Sequence, residues 1–178
     1  VLLISYFYFN VFYEVSSEGD ASQYNNTLSV LSYNVRLFNA YEKKPNTDAS
    51  KIISEMLFEE SPDVVCVQYI HFKSEKAKLG HAIFSKYPLA NTGAFNFEDT
   101  YNNTLYADVL KGKDTIRIYS VHLQSLGIIP RVSFLQESDN EKLRKRVSRA
   151  FEMQQKQVEA ILEHKSKTKY PVILSGDF

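Results

Sequence analysis

Short strand-like runs alternate with two amphipathic helical patterns along most of this chain, and that alternation limits its fold more than any other feature. Residues 28–35 alternate between polar and apolar positions, whereas residues 64–67 and 172–174 are continuous apolar runs typical of buried strands. Apolar residues recur at helical spacing after Thr47 or Asp48, either of which can cap a helix, and again over residues 143–162. Strands and helices in this order predict a mixed α/β domain.

Further strands are predicted between the two helices. Residues 81–85 form a short strand that Pro88 closes, and residues 105–110 and 115–123 form two strands joined by a connection that contains Gly112. Residues 69–72 also have the pattern of a separate strand, which would start directly after the run at 64–67. The sequence therefore predicts a β-hairpin between the two helices.

The composition excludes several classes of protein. The 178 residues include 21 basic and 21 acidic side chains, and 44% of the residues are hydrophobic against 24% charged. Such a chain buries a core and is not intrinsically disordered. Its zero net charge argues against a protein that mainly coats phosphate backbones. Its single cysteine, Cys66, excludes an internal disulfide and a multi-cysteine zinc site, and is predicted to be a small core residue.

The N-terminal segment differs in amino-acid composition from the rest of the chain. Residues 1–13 carry no charge and include six tyrosines and phenylalanines. The run is shorter than the roughly 20 residues that a membrane-spanning helix needs. It fits either the end of a spanning helix that begins upstream or an aromatic-rich β-strand. We favour the membrane anchor, followed by a polar linker at residues 14–27 and a folded domain at residues 28–178, and expect a membrane-associated protein.

Three polar side chains stand at the ends of predicted strands, where α/β folds place their functional sites. Asn34 either orients a phosphate oxygen or only satisfies backbone groups at a turn. His122 is either a proton donor near neutral pH or a buried core histidine. Asp177, which follows Gly176, is either a carboxylate for a water or cation or an ordinary turn residue. Taken singly, each residue is weak support for a catalytic site.

Five motifs occur in a fixed order: LSYNVR at 31–36, DVVCVQ at 63–68, AIFSKYP at 82–88, VHL at 121–123 and LSGDF at 174–178. This combination resembles the endonuclease/exonuclease/phosphatase superfamily, whose members have the deoxyribonuclease-I-like fold. The resemblance runs from about residue 28 to the last residue. It implies a four-layer αββα sandwich, in which two mixed β-sheets pack face to face between outer helices. It also implies cleavage of phosphoester bonds with Mg²⁺ (or Mn²⁺), in substrates from DNA to sphingomyelin and inositol phosphates.

The resemblance assigns a role to each candidate residue. Asn34 would contact the metal-bound phosphate and be a weak metal ligand, and Arg36 would add positive charge to phosphate binding. His122 would lie at the scissile phosphate as an acid or an electrostatic clamp, and Asp177 would orient the attacking water. These roles match phosphoester hydrolysis, which needs neutralised oxygens, an oriented nucleophile and a protonated leaving group.

The chain departs from the family pattern after Gln68. The family continues there into a glutamate, its principal metal ligand, whereas this chain has Tyr69. A phenol is a far poorer Mg²⁺ ligand than a carboxylate at neutral pH. Because a strand-like run starts at once, we expect that a stretch beginning with this glutamate is missing from the sequence.

A second departure is that the family's later Asp and Asp-His motifs do not follow Phe178. We therefore expect an incomplete domain that is inactive as it stands, and a full-length parent that is a hydrolase. The alternative is a catalytically inactive binding or scaffold module that keeps the fold, in which Tyr69 is a true substitution.

The substrate class stays open between lipid head groups, nucleic acid and small phosphorylated molecules. The basic cluster at residues 141–149 is able to bind a polyanion, but mixed charges on an outer helix are usually a solvated face. Zero net charge and the expected anchor favour a substrate other than DNA.

Overall fold

The computed structural model describes residues 23–35, 48–72, 78–100, 102–126 and 140–178. In chain order these ranges contain β1 (Val30–Asn34), α1 (Ala49–Glu60), β2 (Val64–Phe72), β3 (Lys78–Ser85), β4 (Leu89–Asn96), β5 (Asn103–Lys111), β6 (Asp114–His122), α2 (Asn140–Ser166) and β7 (Val172–Asp177). The expected anchor, most of the linker and Arg36 lie outside the described residues. No helix within the described ranges is long and apolar enough to cross a membrane.

A three-stranded sheet, sheet A, contains β1, β2 and β3 in that order. β1 and β2 are parallel, with Asn34 beside Gln68, and α1 is the crossover between them. At the start of α1 the Lys51 backbone amide donates a hydrogen bond of 3.2 Å to Asp48 Oδ1. This bond confirms the predicted helix cap, because the side chain satisfies an amide that has no partner within the helix.

β2 is one strand of nine residues, so the prediction of a separate strand at residues 69–72 is wrong. β2 pairs with antiparallel β3 on both sides of a register shift, in which Val67 lies beside Ala82 but Ile70 lies beside Gly80. β2 therefore carries one extra residue at this point. A bulge of this kind keeps the strand continuous while it interrupts the alternation of side chains.

A four-stranded sheet, sheet B, has the order β4–β5–β6–β7. β4, β5 and β6 are antiparallel neighbours, and β7 runs parallel to β6. The predicted hairpin joins β5 to β6, and Gly112 in its turn has a φ of 63°, which glycine adopts without steric cost. β4 was not predicted, because Asn91 and Gly93 are poor strand formers.

Side chains from both sheets form the core between them. Val64 and Cys66 of sheet A pack with Val109 and Ile118 of sheet B, and none of the four is exposed. Burial raises the pKa of the Cys66 thiol, as expected for the predicted core residue. Two mixed sheets packed face to face confirm the predicted α/β sandwich.

α2 covers the outer face of sheet B. Tyr119, Val121 and Leu123 of the β6 segment form a second core cluster with Ile161 of α2. The strand therefore sends alternate residues to two different cores, because successive side chains point to opposite faces of a sheet. This packing places α2 directly behind the end of β6.

Candidate active site

The last residues of β1, β6 and β7 meet at one end of the sandwich. Asp177 of β7 lies directly beside His122 of β6 in sheet B, while Asn34 ends β1 in sheet A. The Asn34 side-chain amide, Nδ2, donates a hydrogen bond of 2.8 Å to Asp177 Oδ2. This bond joins residues 143 positions apart in the sequence and links the two sheets. The structure thus brings together three residues that the sequence had singled out on separate strands.

His122 lies on the buried side of this group. Its Nε2 is 4.0 Å from Asp177 Oδ2, and only 7% of its side chain is exposed, against 51% for Asp177. Burial lowers the pKa of His122, and the negative charge of Asp177 opposes that shift only in part. The imidazole is therefore mainly neutral at neutral pH. The group combines a neutral imidazole with a carboxylate that is open to solvent.

Asp177 lies beside His122 because residue 176 is glycine. The φ of Gly176 is 147°, and a Cβ placed there would lie 1.9 Å from the carbonyl oxygen of Val121. A side chain at this position would push β7 away from β6 and would also strain the backbone.

Gln68 holds the strands behind the site, although the sequence assigned it no role. Its side chain is buried, and Nε2 donates hydrogen bonds of 3.1 Å to Ser32 Oγ in sheet A and 3.1 Å to Ser120 Oγ in sheet B. The backbone carbonyl oxygen of Gln68 accepts a hydrogen bond of 3.1 Å from the backbone amide of Val35. The sequence did contain a signal for this role, because Gln68 ends an apolar run. A side-chain amide that is buried there needs polar partners.

His81 of β3 is a second residue that sequence reasoning did not place in the site. It is buried, and its Nε2 lies 3.2 Å from His122 Nδ1. The two ring planes are inclined by 24°, with centroids 5.2 Å apart. Burial, together with the neighbouring His122, lowers the pKa of His81 to about 4. Nothing in the local sequence pairs these histidines, because they belong to different sheets.

Amide side chains fix the backbone that follows His122. Gln124 donates through its backbone amide to Gln157 Oε1 (2.8 Å), and its carbonyl oxygen accepts a bond from Gln154 Nε2 (2.8 Å). Asn102 Nδ2 donates to the carbonyl oxygen of Leu123 (2.9 Å). These contacts anchor the end of β6 to α2 and to the start of β5.

The basic cluster of α2 lies along a cleft next to this anchored segment. The cleft has a volume of about 490 Å³, and its lining includes Lys145, Arg146, Arg149, Asp99, Gln124 and Ser125. Two of the cations have acidic partners: Lys145 contacts Glu141 at 2.8 Å, and Arg149 contacts Asp99 at 4.0 Å. The cleft is therefore positive overall but is partly neutralised by its own residues.

The described residues do not form a complete magnesium site. Within them, no group of three or more His, Cys, Asp or Glu side chains is placed to hold a metal ion. Asp177 is the single carboxylate of the group, and one of its oxygens accepts the bond from Asn34. Mg²⁺ prefers six oxygen ligands and is usually held by carboxylates, waters and substrate phosphates. Asn34 and Asp177 supply only part of such a set.

Several solved structures share this architecture, whereas no protein-family model and no curated protein match the sequence. SmcL superposes with a TM-score of 0.59 at 16% identity, over 86% of this chain and 64% of its own. D. rerio TDP2 in complex with a single-strand DNA product superposes with a TM-score of 0.54 at 20% identity, over 84% and 60%. An endonuclease/exonuclease/phosphatase family protein from Leptotrichia buccalis superposes with a TM-score of 0.52 at 13% identity, over 83% and 66%. The described residues share the fold of these structures, one of which is an endonuclease/exonuclease/phosphatase family protein.

This likeness confirms the resemblance at the level of the fold. The chain spans less than two thirds of the length of each of the three structures. The two packed sheets therefore provide the frame in which Asn34, His122 and Asp177 converge.

Proposed function

We propose that this chain belongs to a phosphoester hydrolase in which Asn34, His122 and Asp177 surround the reacting phosphoryl group. The observation that carries the proposal is their convergence from two sheets, with contacts of 2.8 Å and 4.0 Å to the same oxygen of Asp177. An amide, an imidazole and an exposed carboxylate together are able to bind a phosphoryl oxygen and to position a water.

Each residue has a distinct part in the proposed reaction. The exposed carboxylate of Asp177 accepts a hydrogen bond from the attacking water and orients it. Asn34 holds that carboxylate in place through the bond of 2.8 Å. His122 interacts with the phosphoryl or leaving-group oxygen from the buried side, where low local polarity strengthens electrostatic contacts.

The proposal includes a need for Mg²⁺ or Mn²⁺ in the complete protein, which the described residues do not account for by themselves. It also includes inactivity of the 178-residue chain, because Tyr69 stands where the resemblance places the principal metal-binding carboxylate. Residue Arg36 is proposed to contribute charge to phosphate binding.

Hydrolysis of chromogenic phosphate esters tests this function. The protein encoded by the complete reading frame is expected to cleave bis(p-nitrophenyl) phosphate or p-nitrophenyl phosphate, whereas the 178-residue chain is not. In the complete protein Asn34→Ala, His122→Ala and Asp177→Asn should each lower kcat by about 100-fold or more. Asp114→Asn, a carboxylate at the opposite end of β6, is the matched control and should leave kcat unchanged.

Two outcomes would contradict the proposal. Absence of cleavage of monoesters and diesters by the complete protein would exclude the hydrolase, and unchanged kcat in all three site variants would exclude this site. Cleavage that persists in excess EDTA would contradict the need for a divalent cation, but not the hydrolase itself.

A binding module without catalytic activity is the second candidate, and Tyr69 favours it. Titration of the complete protein with Mg²⁺ by calorimetry separates the two candidates. A hydrolase site should take up the ion specifically, whereas a module that has lost its metal ligand should show no specific heat.

The substrate is proposed to carry a phosphoester, from a lipid head group, nucleic acid or a small phosphorylated molecule. The cleft beside residues 124–125 supports an extended anionic substrate. We also propose that residues 1–13 attach the protein to a membrane, which release of the full-length protein from membranes without detergent would contradict.

A further inference from the structure

The contact between His81 and His122 constrains where the hydrogen atoms of both rings lie. His81 Nε2 and His122 Nδ1 are 3.2 Å apart and buried, so one nitrogen donates and the other accepts. The opposite nitrogen of His81, Nδ1, is also buried and has no hydrogen-bond partner among the residues that the structure describes.

The unpartnered nitrogen decides the direction of this hydrogen bond. A buried N–H without a partner is rarer and costlier than a buried acceptor without one. The hydrogen of His81 therefore lies on Nε2 and is donated to Nδ1 of His122. Since Nδ1 of His122 accepts, the hydrogen of the neutral His122 ring lies on Nε2, the nitrogen that is 4.0 Å from Asp177 Oδ2.

We propose that His81 is a positioning residue that holds His122 in the tautomer with its hydrogen on Nε2, facing the candidate site. In this state His122 presents a neutral hydrogen-bond donor to a phosphoryl oxygen. It acts as an electrostatic clamp and not as a general acid, because a neutral imidazole does not readily release its last proton. The role at a phosphoryl group rests on the proposed function, whereas the tautomer does not.

The charged form of His122 would conflict with this arrangement. An imidazolium carries hydrogens on both nitrogens, so the hydrogens on His122 Nδ1 and His81 Nε2 would face each other between two nitrogens that are 3.2 Å apart. Relief would require His81 to move its hydrogen to the buried, unpartnered Nδ1. The lowered pKa values of both rings agree with two neutral histidines at neutral pH.

Nitrogen-15 NMR of the 178-residue chain reads the tautomers directly. The chain has four histidines, and the spectra of single substitutions assign their ring signals. At neutral pH we expect His81 and His122 both to carry hydrogen on Nε2 and to have an unprotonated Nδ1. A His122 ring with its hydrogen on Nδ1, or a doubly protonated ring, would overturn the inference without any variant.

Two substitutions at residue 81 separate positioning from packing. His81→Phe removes the donor, and His122 should then populate both tautomers. His81→Gln keeps an N–H donor and should restore the Nε2 tautomer of His122. An identical His122 spectrum in wild type and His81→Phe would show that His81 does not set the tautomer; if His81→Phe does not fold, the wild-type spectrum and His81→Gln still decide.

Kinetics on the complete protein test the consequence for the reaction. His81→Phe should lower kcat by about tenfold with KM unchanged, and His81→Gln should recover most of the loss. An unchanged kcat in His81→Phe, with the tautomer altered, would exclude the clamp role. Failure of the proposed function would appear as no hydrolysis in wild type, while the NMR spectra would still report on the tautomer.

Discussion

Gly176 shows at the scale of one residue how a missing side chain determines the geometry of the site. Its φ is 147°, which residues with a side chain rarely adopt, and a Cβ atom on this residue would lie 1.9 Å from the Val121 carbonyl oxygen. There is therefore no room for a methyl group. Asp177 and His122 are neighbours only because β7 approaches β6 this closely. The glycine at this motif therefore has a steric function that is independent of any chemistry.

Replacing Gly176 by alanine should destabilise the fold strongly. We expect Gly176→Ala to lower the free energy of unfolding by about 3 kcal/mol, because backbone strain and overpacking add. Gly112→Ala is the matched control, because the φ of Gly112 is 63° but no atom lies within 4 Å of the position that a Cβ atom would take. It should cost about 1 kcal/mol from strain alone. Urea unfolding measures both, and equal losses would contradict the steric explanation.

At the scale of the elements, a buried ion pair fastens β5 to β6 on the outer face of sheet B. Arg117 Nε lies 2.7 Å from Asp108 Oδ1, and a second guanidinium nitrogen donates to Oδ2 at 2.8 Å. Asn91 of β4 donates to the same carboxylate at 3.0 Å. Burial alone would raise the pKa of Asp108, but the bonds from Arg117 and Asn91 hold it below its ordinary value. Residues of β4 and β6 thus satisfy the buried carboxylate of Asp108 in β5.

Removing one partner of this pair should cost more than removing both. Arg117→Met is expected to lower the free energy of unfolding by about 3–5 kcal/mol, because Asp108 is left buried and without its countercharge. The double variant Asp108→Leu/Arg117→Met should lose less than Arg117→Met alone, because no buried charge is left without a partner. Lys167→Met, which removes the exposed Glu163–Lys167 pair, is the control and should have no measurable effect. An additive double-mutant cycle would contradict this account.

At the scale of the whole molecule, polar contacts join the two sheets beside the apolar core. Gln68 binds a serine of each sheet, Asn34 binds Asp177, and His81 packs on His122. These contacts cluster near the carboxyl ends of β1, β6 and β7. The site is therefore assembled at the interface of the sheets, and its geometry depends on how they pack.

The buried histidine pair makes the stability of the whole fold depend on pH. The pKa of His81 is about 4 in the folded chain against an ordinary value of 6.5, so the unfolded chain binds more protons between these values. The contribution of the neutral His81 to the free energy of unfolding should be fully present above pH 6.5 and should be lost as the pH falls towards 4. A shift of this size corresponds to about 3 kcal/mol, and the lowered pKa of His122 acts in the same direction.

Urea unfolding at several pH values within this window measures the effect. His81→Gln, which cannot titrate, should flatten the dependence on pH relative to wild type. The same slope in both proteins would show that His81 does not bind the proton that destabilises the fold.

The sequence predicted most elements because local patterns report on local structure. Alternation and apolar runs located β1, β5, β6 and β7, and the recurrence of apolar residues located both helices. β4 was missed because its residues have little strand propensity; its pairing with β5 and the contact from Asn91 to Asp108 hold it in the sheet. The continuity of β2 was missed because the bulge after Val67 breaks the alternation that marks a strand.

The sequence by itself determined the fold class and the three residues of the candidate site, because motifs at strand ends identify Asn34, His122 and Asp177 without knowledge of their distances. Only the tertiary structure decided that their side chains meet, that Gln68 bridges the sheets and that His81 lies against His122. The physical reason is that propensity and periodicity act between near neighbours in the chain. These contacts join residues 41 to 143 positions apart and exist only once the two sheets are packed.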